Sequence, residues 1–290
     1  MSNGYNPYGP YAQQPPPPGT PPTGGAPRDL FPSLWQNDED LSRATSSCLA
    51  RVFLRMFIAL LVTAAVSYGI YTYQGSFAGY NSIYDYTTGE VYSGLMVFLF
   101  SNIYFFYGLM IAQLLLVIVL AVRVMKMSST ASNIMFFIYA IMTGITLSVV
   151  FLAYTTGVIF QAFMVTAMTF GAMALYGTIT RRDLTKIGSL CFMGLIGIII
   201  ASIINMFVGN DTLTMIINYI GVLIFVGLTA YDTQRIKRML AGANSGNADS
   251  VIVAGRDEAI KRISVMGALM LYLDFINLFL KILAIMGRRR

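Results

Sequence analysis

The stretch Leu269-Met270-Leu271-Tyr272-Leu273-Asp274-Phe275-Ile276-Asn277-Leu278-Phe279-Leu280 decides how the chain is read. It sets a carboxylate, Asp274, near the centre of an apolar run from Ile263 to Met286. A run of that length reaches well into or across a bilayer. A charge at that depth costs about 2.5–3.5 kcal/mol unless it is protonated, paired or hydrated. Nothing on its own helix neutralises it. Asn277, three residues on, shares its face but is neutral; Lys281, seven residues on, lies about 10 Å along the axis. The partner must come from another helix.

Composition agrees with a membrane chain. Hydrophobic residues make up 56% and charged residues 11%, where soluble domains carry about 25% charged residues; mean hydropathy is +0.67. The formal charge of +6 does not describe a nucleic-acid surface, because Lys and Arg sit at the ends of apolar runs, where they orient spans. Nucleic acid is therefore excluded as a partner and the lipid bilayer is expected. Histidine is absent. That removes imidazole metal sites, Ser-His catalysis and a histidine pH switch, and leaves carboxylates as the titrating groups. Cys48 and Cys191 are far apart in sequence and read as free thiols.

Residues 1–45 have a different composition. All 10 prolines fall between Pro7 and Pro32, and this tail is expected to be a disordered cytoplasmic tether with polyproline II character at Pro15–Pro18. Residues 46–290 are expected to form an all-α domain of seven hydrophobic helices. Six segments precede the last: Val52–Thr72, Ile103–Val122, Ser132–Tyr154, Val158–Thr178, Ile187–Phe207 and Leu213–Tyr231. Each is about 19–23 residues, enough for roughly 30 Å of hydrocarbon. Ser93–Ser101 is apolar too, either a surface-lying piece or an extension of the second span.

Arg43, Arg51 and Arg55 flank the first segment; Arg123 and Lys126 follow the second; Arg181, Arg182 and Lys186 follow the fourth. The loop after the sixth carries Arg235, Lys237, Arg238, Arg256, Lys261 and Arg262, whereas the alternate loops hold Asp85, Glu90 and Asp211 without Lys or Arg. The positive-inside rule puts the N-terminus and the basic loops in the cytoplasm. Arg288-Arg289-Arg290 breaks the pattern. Either the last segment is re-entrant, or it crosses and the tail disobeys the rule.

A second acid, Asp232, ends the sixth segment in Thr229-Ala230-Tyr231-Asp232. Nominal depths stand against pairing: Asp232 lies about one turn inside the membrane edge, while Asp274 is about 18 Å past Arg262. Two families place Tyr-Asp on a sixth helix and Asp on a seventh. The presenilin-like aspartyl proteases need Gly-x-Gly-Asp and a Pro-Ala-Leu loop; the chain has Leu271-Tyr272-Leu273-Asp274 and no proline after Pro32. That family is excluded.

Three blocks carry the other likeness: Thr166-Ala167-Met168-Thr169-Phe170 running into Thr178-Ile179-Thr180-Arg181-Arg182-Asp183-Leu184 and Gly188; Gly227-Leu228-Thr229-Ala230-Tyr231-Asp232 with Ile236; and Leu271–Phe279. From Arg51 to Gly287 the chain resembles the Bax inhibitor-1 family. The family's Gly-Pro near the end of the third span is missing at Tyr154-Thr155-Thr156-Gly157.

The resemblance implies a seventh helix enclosed by the other six. It also implies a pH-dependent calcium leak gated by a proton-sharing pair, Asp232 and Asp274, with a basic residue near it that falls on Lys126, or on Arg123 if the loop shifts. Physically, two carboxylates in contact cannot both ionise cheaply and titrate as a unit. Losing the shared proton adds repulsion, relieved by helix separation or by a divalent cation. Asp232, Asp274 and Asn277 offer too few oxygens for a tight cage, so no bound cofactor is expected and calcium would only pass through. The alternative is a regulatory membrane protein that binds a membrane protease or a stress or cell-death partner. An enzyme is not expected, and a bacterial cytoplasmic membrane is the expected location.

Overall fold

A backbone in hydrocarbon must satisfy its own hydrogen bonds, so long apolar stretches become helices. The computed structural model describes residues 32–73, 75–85, 90–244 and 250–287. Among them are α1 (Pro32–Thr72), β1 (Ile83–Asp85), β2 (Glu90–Tyr92), α2 (Gly94–Ser101), α3 (Ile103–Arg123), α4 (Ser129–Leu147), α5 (Val150–Ala153), α6 (Thr156–Ile179), α7 (Thr185–Val208), α8 (Asp211–Asn244) and α9 (Ser250–Met286). Seven helical stretches, with α4 and α5 counted as one, are long and apolar enough to cross a membrane.

The expected tail lies outside the described residues as far as residue 31, but 32–45 belong to α1. Pro32 takes the first helical position, where its missing N–H costs nothing. Ser93–Ser101 is no extension of the second span. Ser93 caps α2 by accepting from the Met96 N–H at 3.2 Å, and Asn102, with φ −113° and ψ 67°, separates α2 from α3. The third span is interrupted without a proline: Ser148 N–H is shared between the Gly144 and Ile145 carbonyls, and its hydroxyl donates to Ile145 O at 2.7 Å.

At the centre, α8 and α9 run antiparallel. Gly267 of α9 faces Ile236 of α8, and Gly221 of α8 faces the Lys281 stem. No break interrupts α9, so it is not a re-entrant loop; it ends where Gly287 meets Tyr154, opposite the basic loops. Helices α1 and α6 both pack on α8 and α9. Helix α9 packs mainly on α8, α1, α6 and α4, while α3 packs chiefly on α4 and α7 on α8. Half of the α9 span is buried, against 6% for α3 and 11% for α7.

Small residues allow the closest approaches. A Cβ at Gly177 would strike the Ala230 backbone, and one at Gly188 would strike the Tyr231 ring. Gly171 and Gly197 face open space instead. Tyr272, fully buried, ties three helices together: its hydroxyl bonds Thr63 Oγ1 at 2.7 Å, and Thr63 donates to Ala140 O at 2.9 Å. Its ring stands edge-on to Phe136 and Tyr139.

Candidate functional site

The α8–α9 register removes the depth mismatch. With Ile236 opposite Gly267, Asp232 stands level with Met270–Leu271, about one turn or ~5 Å along the axis from Asp274. The mismatch came from taking Asp232 as lying near the end of its helix. In fact α8 continues to Asn244 and α9 begins at Ser250, so both helices run well past the apolar region.

Both carboxylates line one cavity of about 510 Å³ between α7, α8 and α9, together with Arg235, Tyr231, Ser189 and Asn277. Asp274 is 5% exposed, and its Oδ2 has no hydrogen-bond partner among the described residues. Asp232 is half-buried. The charge of Asp232 acts on Asp274, and that of Arg235 acts on Asp232. Asn277 Nδ2 donates to Leu273 O at 2.8 Å, leaving Oδ1 as its acceptor.

Arg123, the last residue of α3, and Lys126, in the turn after it, are exposed and do not line this cavity. The basic side chain on it is Arg235, one turn along α8 from Asp232. The α3–α4 turn is held from elsewhere. Glu258 of α9 accepts from Ser129 N–H at 2.9 Å, and Arg262 donates to Met125 O at 2.8 Å. From sequence Arg235, like Arg181, reads only as a helix-end partner for a hydrated Asp232; its place on the cavity comes from the packing.

Sequence reasoning missed a clamp on the α6–α7 loop. Gln234, buried on α8, accepts from Leu184 N–H at 3.0 Å and donates to Arg182 O at 2.8 Å. Lys237 donates to Thr178 O at 2.8 Å, and Arg238 pairs with Asp183 at 2.8 Å. The Thr185 hydroxyl hydrogen bond, with Arg238 next, draws the exposed Asp183 carboxyl down from 3.8 to about 2. This clamp fixes the start of α7, and so one wall of the aspartate cavity. Among the described residues no group of three or more His, Cys, Asp or Glu side chains could hold a metal ion.

A multi-pass helical membrane protein with two acids on one interior cavity is the class these features define. Over residues 45–290 the chain matches the family described as inhibitor of apoptosis-promoting Bax1. It belongs to the Bax inhibitor-1 family, as its three sequence blocks imply. It is 43% identical over 242 residues to the inner membrane protein YbhL of Escherichia coli (strain K12), covering 83% of this chain and 92% of that one. An uncharacterized protein of Borreliella burgdorferi is 39% identical over 242 residues, with the same 83% and 92% coverage. An uncharacterized membrane protein of Streptococcus pyogenes serotype M3 is 41% identical over 183 residues, 63% of this chain and 74% of that one.

Proposed function

We propose that this chain is a passive, proton-gated calcium leak of a bacterial cytoplasmic membrane, with its N-terminus and basic loops in the cytoplasm. The observation that carries the reading is the cavity shared by Asp232 and Asp274, with Asp274 Oδ2 buried and unsatisfied by protein. A buried carboxylate oxygen without a protein partner calls for a proton, water or a cation. One proton shared by the pair holds α8 and α9 together. Its loss leaves two negative charges in a cavity whose other charged group among the described residues is Arg235. Repulsion then separates the walls, or a calcium ion enters as cargo. Two carboxylates and the Asn277 oxygen make a weak, partly hydrated site suited to passage. No catalytic role is assigned: the chain has no histidine, and the polar groups on the cavity among the described residues are Thr185, Ser189, Tyr231, Asp232, Arg235, Asp274 and Asn277.

Calcium release from proteoliposomes tests this. Flux should rise with pH as the pair loses its proton, and Asp274→Asn should flatten that dependence. Unchanged release from the Asp274→Asn protein ends the reading.

The family's description, which names apoptosis-promoting Bax1, favours a second reading: a regulatory protein that docks a membrane or cell-death partner through its proline-rich tail. Deleting residues 1–31 separates the two. The regulatory role should then vanish while calcium flux stays intact.

A further inference from the structure

A second cavity shares part of its lining with the aspartate cavity. It measures about 730 Å³ and lies between α3, α4 and α9. Leu273 and Asn277 line both cavities. From these two residues the aspartate cavity extends toward the basic end, to Thr185 and Arg235. The second extends the other way, toward Phe106 at the start of α3 and Val150 beyond α4. Joined, the two volumes would make an hourglass whose waist is that one turn of α9.

The far half contains a polar cluster with no assigned task. Gln113 Nε2 donates to Thr143 Oγ1 at 2.9 Å, and Thr146 Oγ1 donates to Gln113 Oε1 at 3.2 Å. All three side chains line the cavity, with Tyr139 beside them. Polar groups at membrane depth are costly and mark ion and water paths. The straight route along α8 is guarded by charge: the Lys281 stem packs on Gly221, and its ammonium donates to Asn218 Oδ1 at 3.3 Å. A divalent cation moving along that seam would meet a positive charge.

We propose that the second cavity is the far half of the conduction route, and that Asn277, tied to Leu273, is the constriction between the halves. The proposal deepens the leak reading and rests on it. In the closed form the Asn277 amide is turned back onto Leu273 O, which also accepts its own helix bond. Rotation of the side chain breaks only the hydrogen bond from the Asn277 amide to Leu273 O, clears the waist and presents Oδ1 to the passing ion. Gln113, Thr143 and Thr146 then supply neutral oxygens in the far half.

Calcium flux from proteoliposomes is compared for wild type, Asn277→Ala, Asn277→Leu, Thr146→Val and Asp274→Asn. Asn277→Ala should raise flux severalfold, and Asn277→Leu should cut it at least tenfold. Thr146→Val should lower flux about threefold while leaving the pH midpoint in place, because the carboxylates lie in the other half. If Asn277 and Thr146 variants stay within twofold of wild type while Asp274→Asn flattens the pH dependence, the route is wrong and the leak reading stands. Absence of flux from wild type at every pH overturns both. A second arm does not depend on those variants folding. Leu280 lines the second cavity alone, and the native Cys48 and Cys191 are buried. Labelling Leu280→Cys with a charged thiol reagent should block flux; complete labelling with undiminished flux overturns the proposal.

Discussion

Single residues carry both the chemistry and the sharpest tests. Tyr272→Phe keeps the edge-on ring contacts but loses the hydroxyl bond to Thr63, which still donates to Ala140 O. It should cost about 1 kcal/mol, read as lower thermal stability in nanodiscs with the fold intact. Asp183 gives a pH test outside the spans. Its carboxyl titrates at about 2 in the folded chain instead of 3.8. Its contribution is therefore full above the ordinary value and is lost as pH falls from there through about 2. Protease cleavage in the α6–α7 loop should rise over that window in wild type. Asp183→Asn should show the higher rate at neutral pH and no such rise. Asp274 could be found from sequence because a lone carboxylate inside an apolar run has no cheap explanation. Arg235 was legible only as a helix-end partner for Asp232, since which face of α8 meets the cavity depends on packing.

Among the elements, the α8–α9 hairpin and the α6–α7 clamp decide the site's shape. Gln234→Ala would strip partners from the Leu184 N–H and the Arg182 carbonyl, a loss of about 2 kcal/mol. Hydrogen exchange at the start of α7 should speed up more than in α1 or α4. Gly177→Val should fail to assemble, because the clash is with Ala230 backbone, which cannot turn aside as a side chain can. The check is a monodisperse elution peak that wild type gives and the variant does not. Helix existence was legible from hydropathy; helix ends were not. Apolar content marks where hydrocarbon begins, yet α8 and α9 remain helical beyond it, and that excess hid the true level of Asp232. The interruption at Ser148 was hidden for another reason: it uses a serine hydroxyl and a shared N–H instead of a proline.

For the whole molecule, seven apolar helices follow from seven apolar runs, but their arrangement does not. Helices in lipid are apolar on every side, so no amphipathic stripe says which face turns inward. A central last helix was implied by the family resemblance alone; that α8 shares the centre while α3 and α7 stand outside became visible only in the fold. The same arrangement opens the side of α9 on which Leu273 and Asn277 sit. Helix length has one more consequence. At 1.5 Å per residue α8 and α9 are about 51 and 56 Å long, well beyond roughly 30 Å of hydrocarbon. A thicker or thinner bilayer would therefore slide its boundary along the pair without shifting one helix against the other. The alignment of the two acids should thus be the same in short-chain and long-chain lipids.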